Sequence, residues 1–335
     1  MPGPVFPCPR TLPELPDPSL QVAERRLSNW ALWLKLKTMF TLYLLTKKGF
    51  EVLKALLAKD YGRHIDLVVV GADKNTRGDY GDEIRALCDQ HRIAWGHREE
   101  RRPSNSPFSL AVSWRWLINE PATTLIVLHD SLLPKYRGFA PLISALVNGD
   151  REIGVTALYA TGEYDRGDII FSSSTAITYP IRIGDAIENI CKNYVSVALS
   201  IFEYVARGQQ LPRTRQIEAE ATYSLWRDEQ DYLIAWDSDA PSIRRFVDAT
   251  GDPYLGASTY LDGQKIRIIA AEERPDLSIV NRTPGKVISV EQACPLVVCG
   301  KGILRLTEVV DAATGASVLP FPRFRVRLNS HPAKG

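Results

Sequence analysis

The strongest constraint on this chain is a series of short, almost unbroken apolar runs separated by amphipathic segments. Met39–Thr46 and Ile65–Gly71 (IDLVVVG) come first, and shorter runs follow at Ile93–Trp95, Leu110–Trp114 and Leu125–His129. Runs without an alternating polar partner cannot lie with one face in water, so they read as strands covered on both sides. Between them, Lys47–Lys59 places Phe50, Leu53 and Leu57 at helical spacing, and Tyr80–His91 supplies a second helix. Pro141–Asn148 and Asp185–Ala206 add two more helices, with strands at Val155–Tyr159 and Ile169–Phe171 between them. This alternation predicts an α/β fold: a Rossmann-like, mostly parallel sheet with helices on both faces.

The remainder divides around that core. Residues 1–38 form a Pro-rich N-terminal extension, in which Pro2, Pro4, Pro7, Pro9, Pro13, Pro16 and Pro18 exclude helix and central strand. Within it, residues 21–37 carry Trp30, Trp33 and Leu34 on one helical face. The α/β domain is expected over 39–206, and a linker (RGQQLPRTRQIEAEA) over 207–221. Residues 222–328 then contain a helix at Ala240–Ala249 and short strands at Lys265–Ala270, Gly285–Ser289, Leu296–Cys299 and Ile303–Val309. Short strands with frequent turns suggest a small β-barrel.

Composition narrows the function. The 335 residues are 45% hydrophobic and 24% charged, the ordinary globular mix, and the length suits two domains. No stretch approaches the roughly 18–20 apolar residues of a membrane span, because Trp30–Leu45 is broken by Lys35 and Lys37. A net charge of +2 advertises no broad phosphate-binding surface. Five cysteines, scattered and never spaced C-x₂-C, argue against a disulfide scaffold or a zinc site. No metal is therefore expected, and the lack of a secretory apolar segment at the start points to the cytoplasm.

Ligands of an open parallel sheet bind beyond the carboxyl ends of its strands. Leu125–His129 is such an end: a buried run stops at His129 and continues as Asp130-Ser131-Leu132-Leu133-Pro134, then Lys135-Tyr136-Arg137-Gly138. A histidine there is by itself more often a hydrogen-bonded structural residue. The turn Glu163-Tyr164-Asp165-Arg166-Gly167-Asp168 precedes another apolar strand, and Asp and Gly favour such turns for backbone reasons alone. Together, a strand-end imidazole and a loop carboxylate make an acid–base pair able to flank one reacting centre.

The compound pattern H-x-S-L-L-P-x-x-R-G-x-x-P resembles the formyltetrahydrofolate-dependent formyltransferases. It is carried here by His129, Ser131–Pro134, Arg137-Gly138 and Pro141, followed by Gly154-Val155-Thr156 and Y-D-R-G-D-I-I around Asp165. That family includes methionyl-tRNA formyltransferase, nucleotide-sugar N-formyltransferases and glycinamide ribonucleotide transformylase, and the resemblance covers about 39–310. It implies an OB-like C-terminal domain, through Asp231–Trp236, Ala257–Tyr260 and Val298–Leu304. It also implies N10-formyltetrahydrofolate as co-substrate, and is compatible with a homodimer. His129 would stabilise the oxyanion formed when an amine attacks the formyl carbon. Asp165 would hold the imidazole charged and relay the amine proton. Ser113, Trp114 and Arg115 match the loop that holds the pterin, with Ala160–Tyr164, and Tyr164 in particular, as the opposite wall. Ser131, Lys135 and Arg137 are the expected substrate contacts, although Arg137 equally suits bracing its own loop.

One departure stands out. The family usually carries Asn two residues before the histidine, and Val127, which cannot donate a hydrogen bond, stands there. A slower transferase, a hydrolase, or a donor supplied from elsewhere, such as Asn119 or Asn148, would each follow. The block SWRWLI…LHDSLLPKYRGFAPL is nearer the sugar-modifying branch, and the near-neutral charge agrees, since tRNA binding relies on many phosphate contacts. The expected acceptor is therefore a primary amine on a nucleotide-linked amino sugar. Methionyl-tRNA formylation is the main alternative, with Arg323, Arg325 and Arg327 as a basic tail. Formyltetrahydrofolate hydrolysis and a non-catalytic folate- or nucleotide-binding module also fit Val127.

Overall fold

The computed structural model describes residues 38–72, 78–100, 102, 106–119, 124–323 and 325–331. Apart from Thr38, the Pro-rich extension and its Trp30–Leu34 face lie outside the described residues.

The apolar runs become strands β1 (Phe40–Leu44), β2 (Ile65–Val70), β3 (Trp95–His97), β4 (Phe108–Val112) and β5 (Thr124–His129). Helices α1 (Thr46–Ala58) and α2 (Gly81–His91) lie where the helical spacing put them. Next come the two-residue strand β6 (Arg137–Gly138), α3 (Pro141–Asn148), β7 (Glu152–Tyr159), β8 (Ile169–Ala176) and α4 (Ile183–Ala206). The strand order is β3-β2-β1-β4-β5-β7-β8, with β1 to β5 parallel and β7 and β8 antiparallel, the mostly parallel sheet expected. The direction of travel reverses between β1 and β4, so the crevice beyond their carboxyl ends is the topological switch point. There the Thr46 hydroxyl donates to Ser113 Oγ at 3.1 Å.

Among the parallel strands, two shift by two residues. The expected strand at Ile93–Trp95 forms two residues later, because Trp95 pairs with Val68. The expected strand at Leu110–Trp114 forms two residues earlier, and the chain leaves it at Ser113, whose φ is +56°. Helix coverage also differs from expectation. Side chains of α1, α2 and α4 join one core with β1, β2, β4 and β5, where Phe40 stacks on Phe202 at 4.1 Å. On the opposite face, Tyr43, Leu67, Val69 and Ala111 pack against Trp114, Ile118, Leu125 and Val127 instead of a described helix. Successive right-handed crossovers from β1 to β2 to β3 put both helices on one side.

The C-terminal unit has its own core around Ile234, Trp236, Ile243, Val247, Ile266 and Leu306. Helix α5 (Ala240–Thr250) is capped by the Asp239 carboxylate, which accepts from the Ser242 N–H. The short strand β9 (Tyr223–Ser224) pairs in parallel with β6, reaching back to the first domain. Strands β10 (Ala257–Leu261), β11 (Gln264–Arg274), β12 (Val287–Glu291), β13 (Cys294–Val298), β14 (Ile303–Asp311) and β15 (Leu328–Asn329) form an antiparallel sheet in the order β12-β13-β14-β11-β10-β15. Register shifts near Ala270 bend β11, and the Leu328 and Val287 N–H groups donate to Gly285 and Val326 carbonyls, drawing the two edge strands together. This is the half-barrel that its short strands suggested.

The segment between the domains is not a loose tether. Leu211 is buried, and Thr214 and Ile169 exchange backbone hydrogen bonds at the edge of β8. Among the described residues no helix is long and apolar enough to cross a membrane. Truncating the stacked aromatic of α4, Phe202→Ala, is expected to cost about 3–5 kcal/mol in urea unfolding, as for other buried Phe residues.

Candidate active site

The site is built at the end of β5. His129 is buried, and its Nε2–H donates to the Tyr136 carbonyl at 2.8 Å. A carbonyl can only accept, so this bond fixes the proton on Nε2. It turns Nδ1 toward the Asp165 carboxylate, with Oδ2 3.6 Å away. That gap exceeds a hydrogen bond.

The carboxylate is held from the same turn that holds the imidazole. Gly138 N–H donates to Asp165 Oδ2 at 2.8 Å, and Asp165 itself has φ +55°, a left-handed conformation that Asp tolerates better than most residues. The Gln216 side-chain amide donates to the carbonyls of Asp165 and Gly167 at 2.7 and 2.8 Å. Gln216 is oriented in turn by Arg137, whose Nε and terminal NH₂ donate to its Oε1 at 3.1 and 2.9 Å. The other Arg137 NH₂ grips the Glu218 carboxylate through both oxygens. At 1% exposure the Arg137 guanidinium is fully engaged within the protein. It braces the site rather than meeting substrate, and does so through Gln216 and Glu218 side chains. The Ser131 hydroxyl is likewise spent, donating to the Lys135 carbonyl at 2.6 Å. Of the three expected substrate contacts, only Lys135 is exposed at the lip.

On the expected pterin side, Ser113 is tied to Thr46, and the Trp114 ring packs edge-on against Tyr43 and Trp116 at 5.1 and 5.0 Å. Its indole N–H is buried with no hydrogen-bond partner among the described residues. Arg115 is exposed. The two expected walls converge on Leu125, which packs in the Trp114–Ile118 cluster and whose carbonyl accepts from Ala160 N–H at 2.9 Å. Tyr164 stands out into solvent, its ring 6.0 Å from that of Phe139. Val127 lies two residues from His129 on the same sheet face and belongs to this apolar cluster. Neither candidate amide replaces it: Asn148 donates to the Tyr136 hydroxyl, and Asn119 is exposed.

Sequence reasoning missed a buried polar triad behind the histidine. The Asp130 carboxylate accepts from the Lys48 ammonium of α1 and the Tyr194 hydroxyl of α4. Burial alone would push the Asp130 carboxyl up, but the Lys48 charge and the hydrogen bonds from Lys48 and Tyr194 hold it below its usual value. Burial likewise opposes the Lys48 charge, which the Asp130 carboxylate restores and holds above its ordinary pKa. A signal existed in the sequence: Lys48 falls in line with Val52 and Leu56 on the buried stripe of its helix.

Comparison with known proteins supplies the family. Residues 113–193 match the formyl transferase family, and residues 227–316 match the formyl transferase C-terminal domain. The chain belongs to the formyltransferase family. Methionyl-tRNA formyltransferase of Syntrophomonas wolfei subsp. wolfei is 29% identical over 216 residues, covering 64% of this chain and 67% of that protein. HypX from Aquifex aeolicus in complex with tetrahydrofolic acid superposes with a TM-score of 0.56 at 18% identity, covering 84% of this chain and 46% of that one. This chain thus spans under half of HypX. WlaRD, a sugar 3N-formyl transferase solved with dTDP and 5-N-formyl-THF, superposes with a TM-score of 0.59 at 16% identity, covering 81% of this chain and 97% of WlaRD. At these identities the two structures share the fold.

The triad carries a signed prediction. A depressed Asp130 pKa adds stability above its unfolded value of about 4, lost as pH falls through the lower folded value. Lys48→Met leaves that carboxylate buried and unpaired, at a cost of about 3–5 kcal/mol at pH 7. Part of the deficit should be regained near pH 4.5, where a proton neutralises Asp130. Urea unfolding at the two pH values tests whether the gap between variant and parent narrows on acidification.

Proposed function

We propose that this protein transfers the formyl group of N10-formyltetrahydrofolate to a primary amine, most plainly that of a nucleotide-linked amino sugar. The observation that carries the reading is the His129–Asp165 pair, brought together at the carboxyl edge of the sheet from residues 36 positions apart. The acceptor amine attacks the formyl carbon, the new C–N bond forms, and the carbonyl oxygen becomes an oxyanion. A proton on His129 Nδ1 would donate a hydrogen bond to that oxygen and stay on the ring. Asp165 takes the ammonium proton, the oxyanion's electron pair re-forms the carbonyl as the bond from carbon to N10 breaks, and the proton carried by Asp165 passes to N10. Tyr136 keeps the imidazole in one tautomer throughout, and Gly138 and Gln216 keep the carboxylate in place.

The donor fits the residues present. Trp114 offers a buried indole N–H with no partner among the described residues, beside a cluster that meets the 160–164 wall at Leu125. A folded pterin ring carries the acceptor atoms and flat apolar surface that such a slot lacks. The near-neutral charge supports a small acceptor. A tRNA acceptor has one observation in its favour, the methionyl-tRNA formyltransferase relative. The basic tail adds little to it, because Arg323 is paired with Asp262.

Incubation with N10-formyltetrahydrofolate and amino-sugar nucleotides, initiator methionyl-tRNA or hydroxyornithine, read by mass spectrometry, should show one formyl group added to the nucleotide sugar. Formate released without an acceptor would mark a hydrolase, and transfer to tRNA that falls steeply with salt would select the tRNA reading. His129→Ala should lower turnover by about 10²–10³, as for loss of one oxyanion donor. Folate affinity that survives this change in a protein that never turned over would mark a binding module. Val127→Asn restores a donor beside the histidine and should raise turnover roughly tenfold, below the full worth of such a donor.

A further inference from the structure

A cavity lies behind the expected folate wall, lined by Leu125, Ala160 and Thr161 of that wall and by Arg166 and Gly167, which directly follow Asp165. About 730 Å³ in volume, it lies between the 160–168 loop and the 213–218 strap. Among the described residues its walls carry four arginines, Arg137, Arg166, Arg213 and Arg215, against two carboxylates, Asp168 and Glu218. Two positive charges are therefore left over. Arg137 is consumed internally, and Arg166 is paired with Glu163 and Glu218. The strap supplies the available cations. Arg213 and Arg215 flank Thr214, which pairs with Ile169, so the two side chains leave the same face of an extended segment. The Arg213 guanidinium stacks on the Tyr159 ring, 3.6 Å from its centroid, and lies 3.6 Å from Asp168. Stacking fixes the plane of the fork, and its edge faces Asp168 at the cavity wall. Arg215 is exposed, with no ion pair or hydrogen bond among the described residues.

Two guanidinium forks on one face, one held flat by an aromatic ring, suit adjacent tetrahedral oxyanions better than a single carboxylate. We propose that this cavity binds the diphosphate of the acceptor substrate, with Arg213 and Arg215 as its contacts. The inference rests on the nucleotide-linked acceptor of the preceding section. Its placement follows from the chain: Arg166 and Gly167 line the cavity and directly follow Asp165, and the Gln216 amide holds the Asp165 carbonyl from the cavity wall. A diphosphate seated here is tethered beside the carboxylate that receives the amine proton. Binding energy from a remote anion would then be spent on orienting the amine.

Calorimetric titration of inorganic pyrophosphate, dTDP and UDP into the full chain tests the site without turnover. Arg215→Ala should weaken all three by about ten- to a hundredfold, the worth of one charge-assisted hydrogen bond. Arg215→Glu should abolish binding, while thermal unfolding of both variants stays at the parent temperature because Arg215 is exposed and makes no hydrogen bond or ion pair among the described residues. In steady state, Arg215→Ala should raise the acceptor KM by a similar factor and leave the formyl-donor KM unchanged. Equal pyrophosphate affinity in parent and variant, or none in the parent, overturns the proposal. A shift confined to the donor KM also overturns it, placing folate glutamyl carboxylates in the cavity instead. Arginine-dependent pyrophosphate binding without formyl transfer to any acceptor would sink the activity and leave the site. Transfer with an acceptor KM indifferent to Arg215 would sink the site alone.

Discussion

The buried guanidinium of Arg137 is the constraint on which the site depends. A cation taken out of water must have its donors satisfied, and Gln216 and Glu218, nearly eighty residues further along, satisfy them. Meeting that requirement pulls the strap between the domains against the turn after His129. The consequences run in both directions along the chain. Residue 136 presents the carbonyl that fixes the imidazole, residue 138 presents the amide that fixes the carboxylate, and Gln216 closes the circuit through the Asp165 carbonyl. An arginine that reads as a substrate contact is the part that holds His129 and Asp165 in their places.

Behind this circuit lies a second anchorage of a different kind. Lys48, Asp130 and Tyr194 tie the end of β5 to helices α1 and α4 through a buried ammonium and a mostly buried carboxylate. Such groups seldom add net stability compared with packed hydrocarbon, but they tolerate very few geometries. The histidine therefore sits between two polar clamps, one behind the strand end and one in the turn beyond it. Val127 then has a physical context: the sheet face it shares with His129 is an apolar cluster, in which an amide would need a ligand to satisfy it.

The motif was legible because its residues are local. His129, the loop that follows it, and the turn around Asp165 stand in continuous stretches whose residue types announce strand ends and turns. The buried strands were legible for the same reason, since uniformly apolar runs allow few other fates. Strand boundaries slipped by two residues where pairing rather than hydrophobicity decides the ends, as at Trp95 and Phe108. Helices on both faces could not be checked from periodicity, because the face a helix takes depends on the order in which strands join the sheet.

By itself, the sequence determined the α/β class, the second β unit, the strand-end histidine, the turn aspartate and the family they signify. Each is written in residues adjacent or regularly spaced along the chain. The tertiary structure alone decided that the imidazole and carboxylate face one another, that Arg137 and Ser131 are spent on bracing, and that Arg213 and Arg215 open on a cavity beside Asp165. The two-residue pairing of β6 with β9 shows why. Its partners are 86 residues apart and too short to leave any periodicity, and the buried guanidinium of Arg137, itself in β6, ties the same two segments together through Gln216 and Glu218.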